Sequence, residues 1–228
     1  MNNSYISPNV NSEIRFLYTS TPEKKIKNNY FEDYFSNELI EKSSKMTGVK
    51  QRFWADKNTT TLDLCVDAAK KMFEDNDFDQ DAIDAVVLVT QTPDYQIPAS
   101  AYIAHKELHL SQNCIAFDVN LGCTGFVYGY YIATSLLNSG LKNILLLAGE
   151  TSSKTVDIKD QGTSMLFGDA GSATLITSSK KTNDQVFSFK SNGSGYETII
   201  IPSGISRKHD ALKKIKKNKL FMSGPDVF

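Results

Sequence analysis

An α/β fold with a mostly parallel central sheet flanked by helices is predicted by two features of the chain. Apolar runs at 85–90, 115–119 and 143–149 have the continuous, partly β-branched character of strands covered on both faces. Between and before them lie segments, at 59–73 and 124–139, whose apolar residues recur at helical spacing. Strands that alternate with helices need crossovers, and a crossover packs back on its sheet as a right-handed, parallel connection.

The elements follow in order. Residues 1–12 form a polar tail without the apolar core of a signal peptide. A short strand is expected at 14–19 and a polar, weakly periodic helix at 28–44. Thr59 reads as the N-cap of a helix in which Leu62, Cys65, Val66, Ala69, Met72 and Phe73 share one face, so Cys65 belongs to the core. After the strand at 85–90, a loop at 91–97 leads to Pro98, whose fixed φ suits the first turn of a helix running to about Leu108. The strand at 115–119 reads as buried and passes through a glycine turn into a helix. Phe126, Val127, Tyr130, Ala133, Leu136 and Leu137 line one side of that helix, and Gly140 ends it. Beyond the strand at 143–149, residues 165–176 read as a glycine-rich turn feeding another strand. Two extended segments within 186–201, separated by Asn192-Gly-Ser-Gly195, read as a hairpin. The organisation expected is a tail at 1–12, a main unit at 13–180 and a connecting segment at 181–228.

Composition narrows the function. The chain has 228 residues, a net charge of −1, 40% hydrophobic and 22% charged residues, as ordinary globular proteins do. Near-neutral charge argues against nucleic acid as the partner, because phosphate binding needs a basic surface. No apolar stretch approaches membrane-span length. Three cysteines without metal-like spacing predict a reducing cytoplasm, with neither disulfide nor metal.

Cys123 is the candidate nucleophile. A sulfur at the first turn of a helix meets the positive end of the macrodipole and unpaired N–H groups, which favour a thiolate and can hold the oxygen of an attached acyl group. The alternative is a small apolar side chain that merely packs a tight turn.

Six motifs stand in one order: TGVKQR at 47–52, QTPDYQIPASA at 91–101, FDVNLGCTGF at 117–126, a strand ending in AGE at 148–150, FGDAGSA at 167–173, and LFMSGPDVF at 220–228. In this the chain resembles β-ketoacyl-ACP synthase III, of the thiolase superfamily, over most of 46–177 and the last nine residues. The resemblance implies a thiolase-like layered fold of which one of two pseudo-repeats is present. It implies a decarboxylative Claisen condensation: Cys123 takes the acyl group of acyl-CoA or acyl-ACP, and the enolate of malonyl-ACP attacks the acyl-enzyme. No cofactor is implied, and acyl carrier protein is the expected partner. By position, the Cys123 N–H is half of the oxyanion hole, and the turn from Gly168 to Gly171 lies beneath the site, where a Cβ would obstruct. Phe167, Gly168, Met222 and Gly224 are assigned to substrate binding, with a plain core role as the other reading of Phe167. Ile97 takes the place from which a side chain crosses a homodimer interface to bound the partner's acyl pocket, with ordinary packing as the other reading. The strand at 115–119 is then the pairing element across the two-fold axis.

The chain also departs from the family pattern. The aromatic and two arginines that clamp the adenine end of coenzyme A are replaced at the corresponding positions by Lys42, Met46 and Gln161. The family's catalytic His and Asn lie in the second pseudo-repeat, and no histidine here matches. His105 and His109 fall at i and i+4 on the helix after Pro98, a zinc-capable spacing without a third ligand, and read as solvated helix face; His209 sits in a polar loop. The lysine run at 213–219 suggests a dock for an acidic carrier protein, against a plain solvated charge run. Residues 226–228 resemble a helix cut off as it opens, which predicts a truncated chain or a disrupted gene, and a sheet face lacking its mate. Acyl transfer to an alcohol or amine, and a non-catalytic half-fold, are the alternative functions.

Overall fold

The computed structural model describes residues 4–7, 12–180, 185–203, 206–207 and 218–227. In chain order the elements are β1 (Ser4–Ser7), β2 (Ser12–Ser20), β3 (Lys25–Lys27), α1 (Asn37–Thr47), β4 (Gln51–Phe53), α2 (Thr61–Asn76) and β5 (Ala85–Val89). They continue with α3 (Ser100–Glu107), β6 (Ile115–Val119), α4 (Gly125–Asn138), β7 (Asn143–Thr151) and α5 (Gln161–Ser164). Last come β8 (Asp169–Ser178), β9 (Gln185–Ser188), β10 (Ile199–Ile200), β11 (Phe221–Met222) and α6 (Gly224–Val227). The chain divides into two compact units: one of 1–21, 58–150 and 170–189, the other of 22–57, 151–169 and 190–228.

The first unit is built on a five-stranded sheet in the order β2-β8-β7-β5-β6. β5 runs parallel to both β6 and β7, with Val89 opposite Val119 and Ala148, while β2 pairs antiparallel with β8. All five residues of β5 are buried because both its faces are covered. Val86 and Leu88 face the layer of α2 and α3, with Cys65, Met72, Ala101 and Ala104. Ala85, Val87 and Val89 face α4, through Ala133 and Leu137. The period-2 alternation of a strand thus divides one apolar run between two helical layers.

Local chemistry sets the helix ends. The N-cap of α2 is Thr60, one residue later than the sequence suggests. Its hydroxyl accepts the Asp63 N–H at 3.1 Å while the Asp63 carboxylate accepts the Thr60 N–H at 2.7 Å, and that reciprocal pair fixes the boundary. The helix expected at 28–44 is broken: a short 3-10 turn spans Asn28–Phe31, and α1 starts only at Asn37. The segment at 115–119 is not buried on both sides. β6 is the last strand of the sheet, and Ile115 is 45% exposed.

The hairpin expected within 186–201 does not form. β9 pairs with β1, Ser188 opposite Ser4, and β10 pairs with β11, Ile199 opposite Met222. Each extended segment found a distant partner, and the Asn192 turn between them is a 3-10 turn capped by its own side chain on the Ser194 N–H. β1 lies within the stretch expected to be a tail.

In the second unit, Phe31 is fully buried among Ile26, Ile40 and Met165. Arg52, from the TGVKQR motif, is buried with them: its guanidinium donates to Asn28 Oδ1 at 2.6 Å and to the Met165 carbonyl at 2.7 Å, and lies 5.0 Å from the Phe31 ring centre. Asp169, from the FGDAGSA motif, accepts from the Ala55 N–H at 2.7 Å and from the N–H and hydroxyl of Ser153. These two motif residues therefore join chain segments distant in sequence.

Candidate active site

The cysteine turn is built from the strand ends outward. Parallel β5 and β6 end together, Val89 opposite Val119, while β7 runs on past Ala148 to Thr151, and the carboxyl ends of such strands are where open α/β sheets place their chemistry. After β6 the chain tightens at once: the Leu121 N–H donates to the Val119 carbonyl at 3.0 Å, and the Gly125 N–H to the Gly122 carbonyl at 2.7 Å. Thr124 is the N-cap of α4, so Cys123 stands one residue outside the helix on the turn that feeds it.

Two glycines let α4 settle onto the sheet. A Cβ on Gly125 would stand 2.5 Å from Val89 Cγ1, and one on Gly129 would stand 2.7 Å from a Leu146 methyl. At i and i+4 these glycines form one strip of the helix, and its close approach delivers Cys123 to the strand ends. Of the three free cysteines, only Cys123 is exposed; Cys65 and Cys114 are buried. Burial pushes the Cys65 thiol up to about 12 and the Cys114 thiol up to about 11.

Two carboxylates that the sequence did not single out organise the loops around this turn. Asp118, on β6, accepts the Ser100 N–H at 2.7 Å and the Ala101 N–H at 2.8 Å, capping α3 from another element. Glu150, at the end of β7, accepts the Gln91 N–H at 2.7 Å and the Thr92 hydroxyl at 2.6 Å. Burial pushes the Glu150 carboxyl above its ordinary value, and these hydrogen bonds oppose the shift. Both lie inside the quoted motifs, so sequence could flag their positions, but no local spacing reveals a cap supplied from a neighbouring strand.

Cys123 and Ile97 belong to the first unit, whereas Phe167, Gly168, Met222 and Gly224 belong to the second. Ile97 is 87% exposed, so ordinary packing within its own chain does not account for it. Phe167 is half-buried, and its carbonyl accepts the Trp54 indole N–H at 3.2 Å. A Cβ on Gly168 would stand 2.9 Å from Arg52 Cβ, and one on Gly171 2.5 Å from the backbone N of Cys65. The close approach those glycines allow is thus to β4 and to α2 respectively. Met222 is half-buried in β11, and half-buried Gly224 opens α6.

Lys42, Met46 and Gln161 are all exposed, Met46 at 79%. The expected His105 and His109 pair on one helix face is overturned. α3 ends at Glu107, and His109 sits beyond it at φ 51°, while His105 Nε2 lies 2.9 Å from the Ser111 carbonyl. No cluster of three metal-ligating side chains occurs among the described residues. His209 and residues 213–217 of the lysine run lie outside the described residues. No described helix is long and apolar enough to cross a membrane.

A cysteine turn at the carboxyl ends of parallel strands, on a sheet with helices on both faces, is the arrangement of a thiolase-like fold. The comparisons agree. The family model for 3-oxoacyl-[acyl-carrier-protein] synthase III matches residues 117–195, the segment that holds Cys123. A candidate 3-oxoacyl-[acyl-carrier-protein] synthase 3 of Campylobacter jejuni is 34% identical, over 95% of this chain and 65% of that protein. A β-ketoacyl-[acyl-carrier-protein] synthase III of Fusobacterium nucleatum is 34% identical over 88% of this chain and 63% of its own. The crystal structure of a 3-oxoacyl-(acyl-carrier protein) synthase from Burkholderia xenovorans superposes with a TM-score of 0.94 at 34% identity, covering 99% of this chain and 66% of that one. The chain belongs to the 3-oxoacyl-[acyl-carrier-protein] synthase III family and spans just under two thirds of the length of these relatives.

Proposed function

We propose that this chain captures an acyl group on Cys123 as the first half of a decarboxylative Claisen condensation with malonyl-ACP. The observation that carries the proposal is the single exposed thiol on the turn between β6 and α4, within the segment that matches the family model. The Cys123 thiolate attacks the thioester carbonyl, and the tetrahedral oxyanion collapses to expel the donor's thiolate, leaving an acyl-cysteine. In the second half, malonyl-ACP loses CO2, its enolate attacks the acyl carbon, and the cysteine thiolate leaves. The resemblance assigns the His and Asn of that step to the second pseudo-repeat. Phe167, Gly168, Met222 and Gly224 are proposed to bind substrate, and Ile97 to reach a partner copy's acyl pocket. No cofactor enters either half-reaction.

Acyl-ACP is the donor favoured by the exposed Lys42, Met46 and Gln161. They offer neither a ring to stack adenine nor a guanidinium fork for phosphate. By composition the second unit holds 18 Lys and Arg against 12 Asp and Glu, a balance suited to an acidic carrier protein. The test is intact mass after incubation with acyl-CoA and acyl-ACP. The proposal expects one acyl increment on Cys123, gained faster from acyl-ACP and lost in Cys123→Ala. An unmodified wild type, or the same increment in the variant, would refute it.

A further inference from the structure

We infer that Glu150 is a positioning residue for the Cys123 turn and acts through Gln91, an inference that rests on Cys123 being the acyl-accepting thiol. The segments leaving β5, β6 and β7 emerge side by side, because Val89 stands opposite both Val119 and Ala148. Gln91 leaves β5, Cys123 leaves β6, and Glu150 is the penultimate residue of β7, two positions past Ala148. One oxygen of Glu150 accepts the Gln91 N–H at 2.7 Å; the other accepts the Thr92 hydroxyl at 2.6 Å and lies 3.4 Å from the Thr90 hydroxyl. The Thr90 N–H donates to the Val119 carbonyl at 3.2 Å, and Thr92 meets the Thr61 hydroxyl at 2.7 Å. Gln91 is thereby fixed at its backbone in a loop that has no regular structure of its own.

The Gln91 side chain then lies against the nucleophile's turn. A Cβ on Gly122 would stand 2.4 Å from Gln91 Oε1, so the amide rests on the peptide that immediately precedes Cys123. The carbonyl of Gly122 in turn holds the Gly125 N–H that opens α4. The chain of contacts runs from Glu150 to the Gln91 backbone, from the Gln91 amide to Gly122, and from Gly122 to Cys123. Keeping a carboxyl buried among hydroxyls costs stability that an apolar strand end would not. What it supplies is three hydrogen bonds, from the Gln91 N–H and the Thr90 and Thr92 hydroxyls, that hold an irregular loop in one place. Misplacement of a reacting group by about 1 Å can cost on the order of a hundredfold in rate.

The test uses the full chain and two single-cysteine readouts: the rate of acyl loading as a function of donor concentration, with acetyl-CoA and octanoyl-ACP as donors, and the rate of iodoacetamide alkylation, which needs no acyl recognition. Glu150→Gln and Gln91→Ala are each expected to lower the saturated loading rate roughly tenfold while leaving the half-saturating donor concentration and the alkylation rate near wild type. The double variant is expected to be no slower than the slower single one, because both act on one chain of contacts. Exposed Gln91 makes its variant informative even where Glu150→Gln folds poorly. Wild-type loading in Gln91→Ala, or fully additive losses in the double variant, would overturn the inference and leave Cys123 as the acceptor. A wild type that alkylates at Cys123 but never loads would overturn that acceptor assignment and the positioning role with it.

Discussion

Cys123 differs from the other two thiols in kind. Burial pushes Cys65 up to about 12 and Cys114 up to about 11, so neither presents thiolate at neutral pH, and neither is open to a reagent. Native labelling with iodoacetamide at pH 8 should therefore add one group, at Cys123, with two more appearing only in denaturant. Peptide mapping that finds label on Cys65 in the native protein would contradict the buried placement of α2. Glu150 has a complementary signature. Its folded carboxyl is raised above its ordinary value by burial, so the protonated form suits the fold better. That contribution is complete below the unfolded-state value, about pH 4, and is lost as pH rises through the folded-state value. Glu150→Gln does not titrate there. The melting temperature of wild type should consequently fall relative to Glu150→Gln over that window, and a constant difference between the two would show that the carboxyl is not held as described.

At the scale of elements, the seat of α4 is the joint on which the site depends. Alanine normally favours a helix over glycine by about 1 kcal/mol, so a Gly→Ala change in an open helix stabilises. At Gly125 the new methyl would stand 2.5 Å from Val89 Cγ1 on a fully covered strand. Overpacking of this kind costs about 1–3 kcal/mol and outweighs the propensity gain. Gly125→Ala should lower the urea midpoint and slow acyl capture together; an unchanged or raised midpoint would mean that α4 is free to lift from the sheet. This joint also shows what the sequence could and could not disclose. The strands at 85–90 and 143–149 and the helices of the first unit were legible because apolar periodicity records which faces are covered. Pairing was not: 186–201 has the local look of a hairpin, yet β9 and β10 take partners 182 and 23 positions away in their registers, Phe187 with Tyr5 and Ile199 with Met222 in two-stranded ladders that no local pattern encodes. The turn that carries Cys123 was legible because it is contiguous in sequence. Glu150 and Asp118 were not, since each acts on a loop that follows a different strand.

For the whole molecule, the exposed edge of the first unit bears on assembly. β6 is the outermost strand of its sheet and is rich in apolar residues, Ile115, Ala116, Phe117 and Val119, while Tyr95, Ile97 and Tyr102 nearby in sequence are each more than half exposed. A bare apolar strand edge invites pairing, and a second copy of the same edge satisfies it through a two-fold axis. The same arrangement would give the 87% exposed Ile97 a destination in the partner. Sedimentation velocity of the 25.3 kDa chain should accordingly report a two-chain mass. Ile115→Lys puts a charge on the exposed edge without touching the buried faces of β5, and it should return a one-chain mass with unchanged helix content. Because Ile97 is proposed to complete a pocket only in the partner, that variant should still alkylate at Cys123 yet discriminate less among acyl chain lengths. A wild type that sediments as a folded single chain, or an Ile115→Lys protein that keeps both its two-chain mass and its chain-length preference, would show that this edge is closed in some other way.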